Sequence, residues 1–364
     1  MGHKLISTLW LPAAGCRGIH QLPATDSAHQ FPCAGCTPAC YFLSTVLKYA
    51  QGSNVYSKEV KLIEQQQGRV QYVQFGHFLQ FPNLVHGIFT RLGGYSEEPF
   101  WGLNVSFTTG DNLENVKRNR LLALSTLRLD AYPSAALWLV HGAEVAVVDE
   151  KPWEWRFDQP VVTLTEEQKV VLRTARPRWK ADAFITRQRD ISLAISSADC
   201  VPVMLYDPVQ EAIGLAHAGW RGTARGIAAI TVDAMREQFG SRPEHIYAGI
   251  GPSIGPCCYE ISEEVQGHFL GRVEFDWQPT AAEYRNLVRE SVVFAIKEQA
   301  HRKSVMLDLW ETNRNQLLMA GLLPEHVELP GICTGCENDR FYSHRAEHGK
   351  AGRFPSIIAL RDAG

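Results

Sequence analysis

Two runs decide how this chain folds: Ile191-Ser-Leu-Ala-Ile-Ser-Ser-Ala-Asp-Cys200-Val-Pro-Val-Met-Leu-Tyr206, and Ala212-Ile-Gly-Leu-Ala-His217-Ala-Gly-Trp-Arg-Gly222-Thr-Ala-Arg-Gly226. Short apolar or β-branched stretches at 191–196, 201–206 and 212–216 are separated by a few polar residues, which predicts consecutive strands. The last of them enters a Gly-rich turn. From 223 to 239, Ile227, Ile230 and Ala234 share one face at helical spacing and Gly240 follows as a stop, so a helix is predicted there. Strand, turn and helix in succession mark a mixed α/β domain.

Working outward, further strands are predicted at 144–149, 183–186 and 245–250. Helices are predicted at 114–127, opened by the cap-like Asp111-Asn-Leu-Glu114, and at 281–300 and 309–320. No repeat, low-complexity tract or flexible linker divides this region, so residues 71–364 read as one domain. Residues 1–70 lack a sustained period of two or 3.6 and read as an irregular N-terminal extension.

The composition bounds the function. In 364 residues, 45% are hydrophobic and 21% charged, enough for a sizeable core in an ordinary globular protein. Lys and Arg total 36 against 39 Asp and Glu, a net charge of -3, and no basic run supplies the field that nucleic-acid binding needs. No stretch reaches the roughly 18–20 apolar residues of a membrane span. The 9 cysteines are an odd number in a chain too long to need disulfide staples, which points to a reducing, cytoplasmic location. Lys4, the apolar residues 5–11 and Ala13-Ala14-Gly15-Cys16 imitate an export or lipoprotein signal, but Pro12 interrupts the pattern. Ile6 stands where N-myristoylation requires Ser or Thr.

Three side chains stand at expected strand ends: His141 in Leu139-Val-His-Gly142, Cys200 and His217. Two imidazoles and a thiolate suit Zn²⁺ and leave a fourth tetrahedral position open, as a catalytic site does. The alternative is a small core cysteine and two satisfied histidines. Gly219-Trp-Arg-Gly222, followed by Thr223-Ala-Arg-Gly226, opens a helix after a strand. It can seat an anion between backbone N–H groups, Arg221 and Arg225, or it is a tight turn that needs Gly for freedom. It lacks the Gly-Lys-Ser/Thr element of a Walker A loop.

Two cysteine patterns are set aside. Cys33, Cys36 and Cys40 form half of a zinc knuckle, and the other Cys-x-x-Cys, Cys333 to Cys336, lies at the far end of the chain, so a joint site is not expected. His326-Val-Glu328 with Cys333 and Cys336 imitates a zinc nucleobase deaminase. The two halves are too close to sit on separate elements.

Several motifs together are decisive: Ala198-Asp-Cys200, His217-Ala-Gly-Trp-Arg-Gly222, Gly251-Pro-Ser-Ile-Gly-Pro-Cys-Cys-Tyr-Glu260, Phe341-Tyr-Ser-His-Arg345 and Gly352-Arg353. With Thr90-Arg-Leu-Gly-Gly94, Leu103-Asn104 and Gly110-Asp111, they resemble the YfiH, or laccase-domain, family of purine nucleoside phosphorylases, formerly described as multicopper polyphenol oxidoreductases. The resemblance runs from about Phe81 to Leu360. It implies a single-domain α/β/β/α sandwich with His141, Cys200 and His217 as zinc ligands. It also implies purine nucleosides and phosphate as substrates: phosphorolysis of adenosine, inosine, guanosine and methylthioadenosine, and deamination of adenosine to inosine. Zinc would acidify a water for attack at purine C6. Carried over residue by residue, Arg91 and Arg221 are phosphate or charge contacts, Asn104 an orienting partner, and Asp182 a proton-transfer or ligand-orienting carboxylate. For Asp182 the alternative is a turn cap before its strand; for Arg91, an anchor for Gly93-Gly94. Leu139, Gly102 and His344 replace the Gln, Ser and Tyr frequent in the family.

Three other functions are weighed. A multicopper oxidase needs His-x-His pairs, and the 13 histidines contain none, although Cu²⁺ can substitute for zinc in a site of this donor type. Cys200 and His217 without metal would make a cysteine hydrolase. Bacterial relatives called peptidoglycan editing factors suggest a role on wall precursors.

Overall fold

The computed structural model describes residues 62–149, 179–189, 191–299, 302–329 and 331–361. In chain order the strands are β1 (Ile63–Gln67), β2 (Val70–Gln74), β3 (Leu84–Phe89), β4 (Ser134–Ala135), β5 (Val145–Val147), β6 (Ala183–Thr186), β7 (Ser192–Ser197), β8 (Val201–Asp207), β9 (Ala212–Ala218), β10 (Tyr247–Ile250), β11 (Glu260–Ile261), β12 (Phe294–Gln299), β13 (Arg302–Leu307), β14 (Val327–Glu328) and β15 (Phe354–Leu360). The helices are α1 (Leu113–Thr126), α2 (Trp220–Thr223), α3 (Ile227–Phe239), α4 (Glu263–Phe269), α5 (Arg285–Ser291) and α6 (Leu309–Met319).

Two six-stranded sheets form the frame, in the orders β1-β2-β3-β15-β7-β4 and β14-β10-β8-β9-β6-β5. Three apolar clusters fill the spaces between layers. Ala123 and Leu127 of α1 meet Phe89, Ile357 and Ala359 on the first sheet. Leu193 and Ile358 of that sheet face Phe184, Met204 and Leu215 of the second. On its other face, Val203 and Ala216 meet Ile227, Val232 and Leu317 of the helices. Helix, sheet, sheet, helix is therefore the layer order, the α/β/β/α sandwich that the resemblance implies.

The hairpin β8–β9 lies in the middle of this stack, and all of its strand residues are buried. With both faces covered, a strand reads as a continuous apolar run, which is why 201–206 and 212–216 stand out in the sequence. The Asp207 carboxylate closes the hairpin by accepting from the N–H groups of Val209 and Gln210. Asn112 caps α1 through the Glu114 and Asn115 N–H groups, one residue later than Asp111. Asp111 turns inward instead, accepting from Ser96 Oγ and Asn104 Nδ2.

The structure corrects three boundaries. The hairpin β1–β2 lies across the boundary read at residue 71, and its strands pair into the first sheet. Cys33, Cys36, Cys40 and the signal-like start lie outside the described residues. The helix read at 281–300 is a short 3-10 turn at Ala282–Tyr284, then α5, then the strand β12, which pairs antiparallel with β13 in a third sheet. Val292, Val293, Phe294 and Ile296 favour a strand, and tertiary contacts fix the change: the Asp308 N–H donates to the Val293 carbonyl and the Thr312 hydroxyl accepts from the Val293 N–H, drawing the chain out of the helix.

The third correction falls within 223–239. The helix there starts only at Ile227, as α3, because Gly226 at φ 88° is its N-cap and parts it from the short α2 that ends at Thr223. The break frees Arg225 to turn back toward the carbonyls of Arg221, Gln278 and Trp277. A side chain at 226 would meet the Tyr284 ring only at ordinary contact distance, so the cost of adding one is in the backbone. Gly226→Ala is expected to lower unfolding stability by about 1–2 kcal/mol in urea titration, and Gly226→Asn by less, because Asn tolerates this conformation better. Equal losses for both, or none, would place the constraint elsewhere.

Candidate metal centre

Register in the second sheet brings the site together. β6 pairs with β9 so that Ala183 faces Ala216, and β8 pairs with β9 so that Pro202 faces His217. Asp182, His217 and Cys200 consequently emerge at one end of three adjacent strands. The Asp182 carbonyl accepts from the His217 N–H at 2.7 Å, which extends the ladder to the site itself. His141 arrives from the loop before β5.

Asp182 is fully buried, and its carboxylate organises this end of the sheet. Oδ1 accepts from the His141 N–H at 3.0 Å, and Oδ2 from the N–H groups of Gly142 at 2.6 Å and Val140 at 3.3 Å. His217 Nδ1 lies 3.1 Å from Oδ1. Burial works against a charge here, but the His217 contact and the loop amides outweigh it and hold the carboxyl below its usual range. Asp182 is therefore an ionised acceptor that fixes the His217 ring and the His141 loop. The same bonds also make it the turn cap that the alternative reading describes.

His141 sits at φ 60°, a region that non-glycine residues seldom occupy. Its N–H is held by Asp182, and Arg225 reaches its carbonyl at 3.3 Å, so both sides of the peptide are fixed. One ligand atom from each of His141, Cys200 and His217 lies within 4.8 Å of the others. The His141 and His217 rings meet edge to face with centroids 5.2 Å apart. His217 is buried, Cys200 half-buried and His141 exposed, so the cluster opens on one side.

The electrostatics match the geometry. Burial opposes ionisation of Cys200, but the His217 charge and hydrogen bonds from both histidines bring its thiol down to about 6. Burial likewise opposes charge on His217, yet the Cys200 thiolate and the Asp182 carboxylate raise it to about 10. A divalent cation would take the place of the proton between these groups. Two imidazoles, a ready thiolate and a carboxylate orienting one imidazole from behind fit Zn²⁺, with the outer carboxylate as the usual second-layer partner.

The Gly-rich turn packs against this cluster. A Cβ at Gly219 would lie 3.0 Å from Cys200 Sγ, and one at Gly222 would lie 3.0 Å from the Gly142 carbonyl oxygen. Close approach explains both glycines. Arg221 is exposed, with its guanidinium over the Trp220 ring at 4.3 Å. Arg225 is buried, its donors committed to backbone carbonyls and its guanidinium 3.5 Å from the Phe275 ring centroid.

Arg91 and Asn104 are placed differently. The Arg91 guanidinium pairs with Glu347 at 3.1 Å, donates to the carbonyls of Asn338 and Trp101, and lies over the Tyr342 ring, the contacts of an anchor. Asn104 donates to Thr109 and Asp111 and accepts from the N–H groups of Ser106 and Arg353, so it orients the chain entering β15. Asp199 is a residue the sequence reading passed over. At φ 87° beside Cys200, it accepts from the Thr334 hydroxyl and the Arg345 N–H, each at 2.7 Å. Its membership of Ala198-Asp-Cys200 was the available signal. The set-aside deaminase pattern is dispersed: Glu328 accepts from the Gly76 and His77 N–H groups, while the His326 ring stacks on Tyr247.

Comparison with known proteins agrees with this architecture. A family model described as multi-copper polyphenol oxidoreductase laccase matches residues 85–361. The chain is 32% identical over 293 residues to the purine nucleoside phosphorylase YlmD of Bacillus subtilis, covering 77% of this chain and 90% of that protein. It is 33% identical over 282 residues to the purine nucleoside phosphorylase YlmD of Geobacillus stearothermophilus, covering 78% and 92%. The crystal structure of YlmD from Geobacillus stearothermophilus superposes with a TM-score of 0.65 at 31% identity, over 83% of this chain and 100% of that one. The hypothetical protein YfiH of Bacillus licheniformis gives a TM-score of 0.64 at 30% identity, over 82% and 99%. With its motif positions, layer order and strand-end cluster all inside the matched region, the chain belongs to the YfiH, or laccase-domain, family.

Proposed function

We propose that the protein is a zinc-dependent purine nucleoside phosphorylase. It splits adenosine, inosine, guanosine and methylthioadenosine with phosphate into the free base and ribose 1-phosphate or its methylthio analogue, and it also deaminates adenosine to inosine. The observation that carries this reading is the convergence of His141, Cys200 and His217 over an ionised Asp182, open to solvent beside the exposed Arg221. Relatives that cover most of the chain and bear the phosphorylase name support it.

In phosphorolysis a phosphate oxygen attacks the anomeric carbon as the bond to the base nitrogen breaks. Arg221 is the side chain we assign to hold that phosphate, since it is exposed on the Gly-rich turn that packs against Cys200, with its guanidinium over the Trp220 ring at 4.3 Å. Arg225 fixes the turn that carries Arg221 by donating to the Arg221 carbonyl at 2.9 Å. Asp182 keeps the proton of His217 on Nδ1 and so leaves Nε2 for the metal; it is a positioning residue and not a proton donor. Asn104 acts through the backbone of Arg353, and Arg91 braces the loop beneath Trp101. When bound, a zinc ion supplies the Lewis acidity and water activation that deamination at C6 needs, and Cu²⁺ can occupy the same donor set. No helix among the described residues is long and apolar enough to cross a membrane, and we place the enzyme in the cytoplasm, with the catalytic unit in residues 71–364 together with the β1 hairpin.

A second reading has an observation of its own. The low Cys200 thiol and the raised His217, backed by Asp182, are also the arrangement of a metal-free Cys-His-Asp hydrolase. Chelation separates the two, because it leaves such a dyad active and abolishes the metal enzyme.

Incubation of the purified protein with adenosine, with and without phosphate, is expected to yield inosine in both cases and adenine with ribose 1-phosphate only when phosphate is present. His141→Ala and Cys200→Ala should lose all turnover while keeping the native circular dichroism spectrum. Turnover unchanged by either substitution or by chelation sinks the metal reading. Asp182→Asn should weaken zinc binding by roughly 10–100-fold in competition with a metallochromic dye, because the amide cannot accept from all of its present donors. Unchanged affinity would remove Asp182 from the site. Arg221→Ala should raise KM for phosphate and leave phosphate-independent deamination unaffected; the reverse pattern would reassign it.

A further inference from the structure

Away from the His141 cluster, the fold brings together a second set of side chains of a type that can hold a metal ion. Cys257 and Cys258, in the loop between β10 and β11, meet Cys333 and Cys336, in the segment before β15, with one sulfur from each within 4.8 Å of the others. Cys336 Sγ lies 3.4 Å from Cys257 Sγ and 3.5 Å from Cys258 Sγ. Disulfide sulfurs stand about 2 Å apart. Sulfurs at the corners of a tetrahedral zinc site, each about 2.3 Å from the ion, stand about 3.8 Å from one another.

The surroundings are built for a shared ion. Cys333 to Cys336 form a tight knuckle, in which the Cys336 and Glu337 N–H groups both donate to the Cys333 carbonyl. The Gly255 N–H points at Cys333 Sγ at 3.3 Å, an orientation that favours a thiolate there. Gly335 lets the knuckle close on the loop that carries Cys258: a Cβ at that position would meet Cys258 Cβ at 3.1 Å and Sγ at 3.2 Å. Four thiolates around a divalent cation carry a net charge of about -2. Lys297 and Arg345 line the same shallow cleft as Cys257 and Cys258, and Lys297 Nζ donates to the Cys257 carbonyl at 3.3 Å.

We propose that Cys257, Cys258, Cys333 and Cys336 hold a structural zinc ion in a closed four-sulfur site, separate from the His141, Cys200 and His217 centre. All four tetrahedral positions are taken by protein, so the site is structural and not catalytic. Binding exchanges the thiol protons for the ion and transfers no electrons. The site ties together the two segments that grip Asp199. Ile254 donates to the Asp199 carbonyl at 2.9 Å, and Thr334, within the knuckle, donates to its carboxylate at 2.7 Å. The ion therefore acts as a clasp behind the Asp199-Cys200 turn.

The test is metal content and thiol protection in the full chain, with no dependence on any enzymatic activity. Elemental analysis of protein from zinc-supplemented cells should give two zinc ions per chain, and Cys258→Ser with Cys336→Ser should remove one of them. Cobalt-substituted wild type should show the intense sulfur-to-cobalt charge transfer of a four-sulfur site, lost in the double variant. Should that variant fail to fold, alkylation of the wild type followed by peptide mapping decides the matter. Cys257 and Cys336 are exposed, yet they should resist alkylation until a strong chelator is added and then react at least about tenfold faster. Cys200 is read separately in the same map, so a failure of the catalytic centre is distinguished from a failure of the clasp. Fast alkylation before chelation, protection released by reductant alone as for a disulfide, or iron in place of zinc would each overturn the proposal.

Discussion

A carboxylate with no exposure to solvent must be satisfied entirely by protein donors, and the solution found for Asp182 organises one whole end of the second sheet. Its two oxygens collect the N–H groups of Val140, His141 and Gly142 and the Nδ1 side of His217. Those bonds set the left-handed turn at His141 and the plane of the His217 ring together. Remove the charge and the loop carrying His141 has no reason to lie against the end of β6. The convergence of His141, Cys200 and His217 is in this sense a by-product of satisfying one buried anion.

Around that anion the protein alternates charges at short range. Cys200, His217 and Asp182 follow one another in order of increasing burial, and Arg225 closes the back by binding the carbonyls of His141, Arg221, Gln278 and Trp277. Arg225 performs a structural task with a charged group, and its burial and the proximity of Arg221 bring its guanidinium down to about 10. Arg221, four residues earlier and at the surface, is left to face solvent. The broken helix at Gly226 makes this division of labour possible, because a continuous helix would carry both arginines along its own surface.

The two cysteine groupings differ in their donors, two imidazoles and one sulfur against four sulfurs. His141, Cys200 and His217 leave an open side, at the exposed His141. Cys257, Cys258, Cys333 and Cys336 bring one sulfur each within 4.8 Å of the others from segments far apart in the chain. Asp199 lies between the two, bound by Thr334 and Arg345 on one side and covalently joined to Cys200 on the other.

The central strands were legible in the sequence because burial on both faces imposes unbroken apolar runs, and β6, β8 and β9 lie within a residue or two of where those runs place them. The motif residues His141, Cys200 and His217 were legible as types suited to a metal. Elements at the periphery were less so: Val292, Val293, Phe294 and Ile296 are strand-forming residues, but they follow directly on a helical stretch, and pairing with β13 and docking to α6 decide where helix gives way to strand. The start of α3 depends on a single left-handed glycine, Gly226. Composition and periodicity are local quantities, so they can select strands, helices and candidate ligands. Which ligands meet is a matter of sheet register and of turns closed by distant partners. That is why Cys333 and Cys336, separated in sequence from every other cysteine pair, acquire Cys257 and Cys258 as neighbours only in the folded chain.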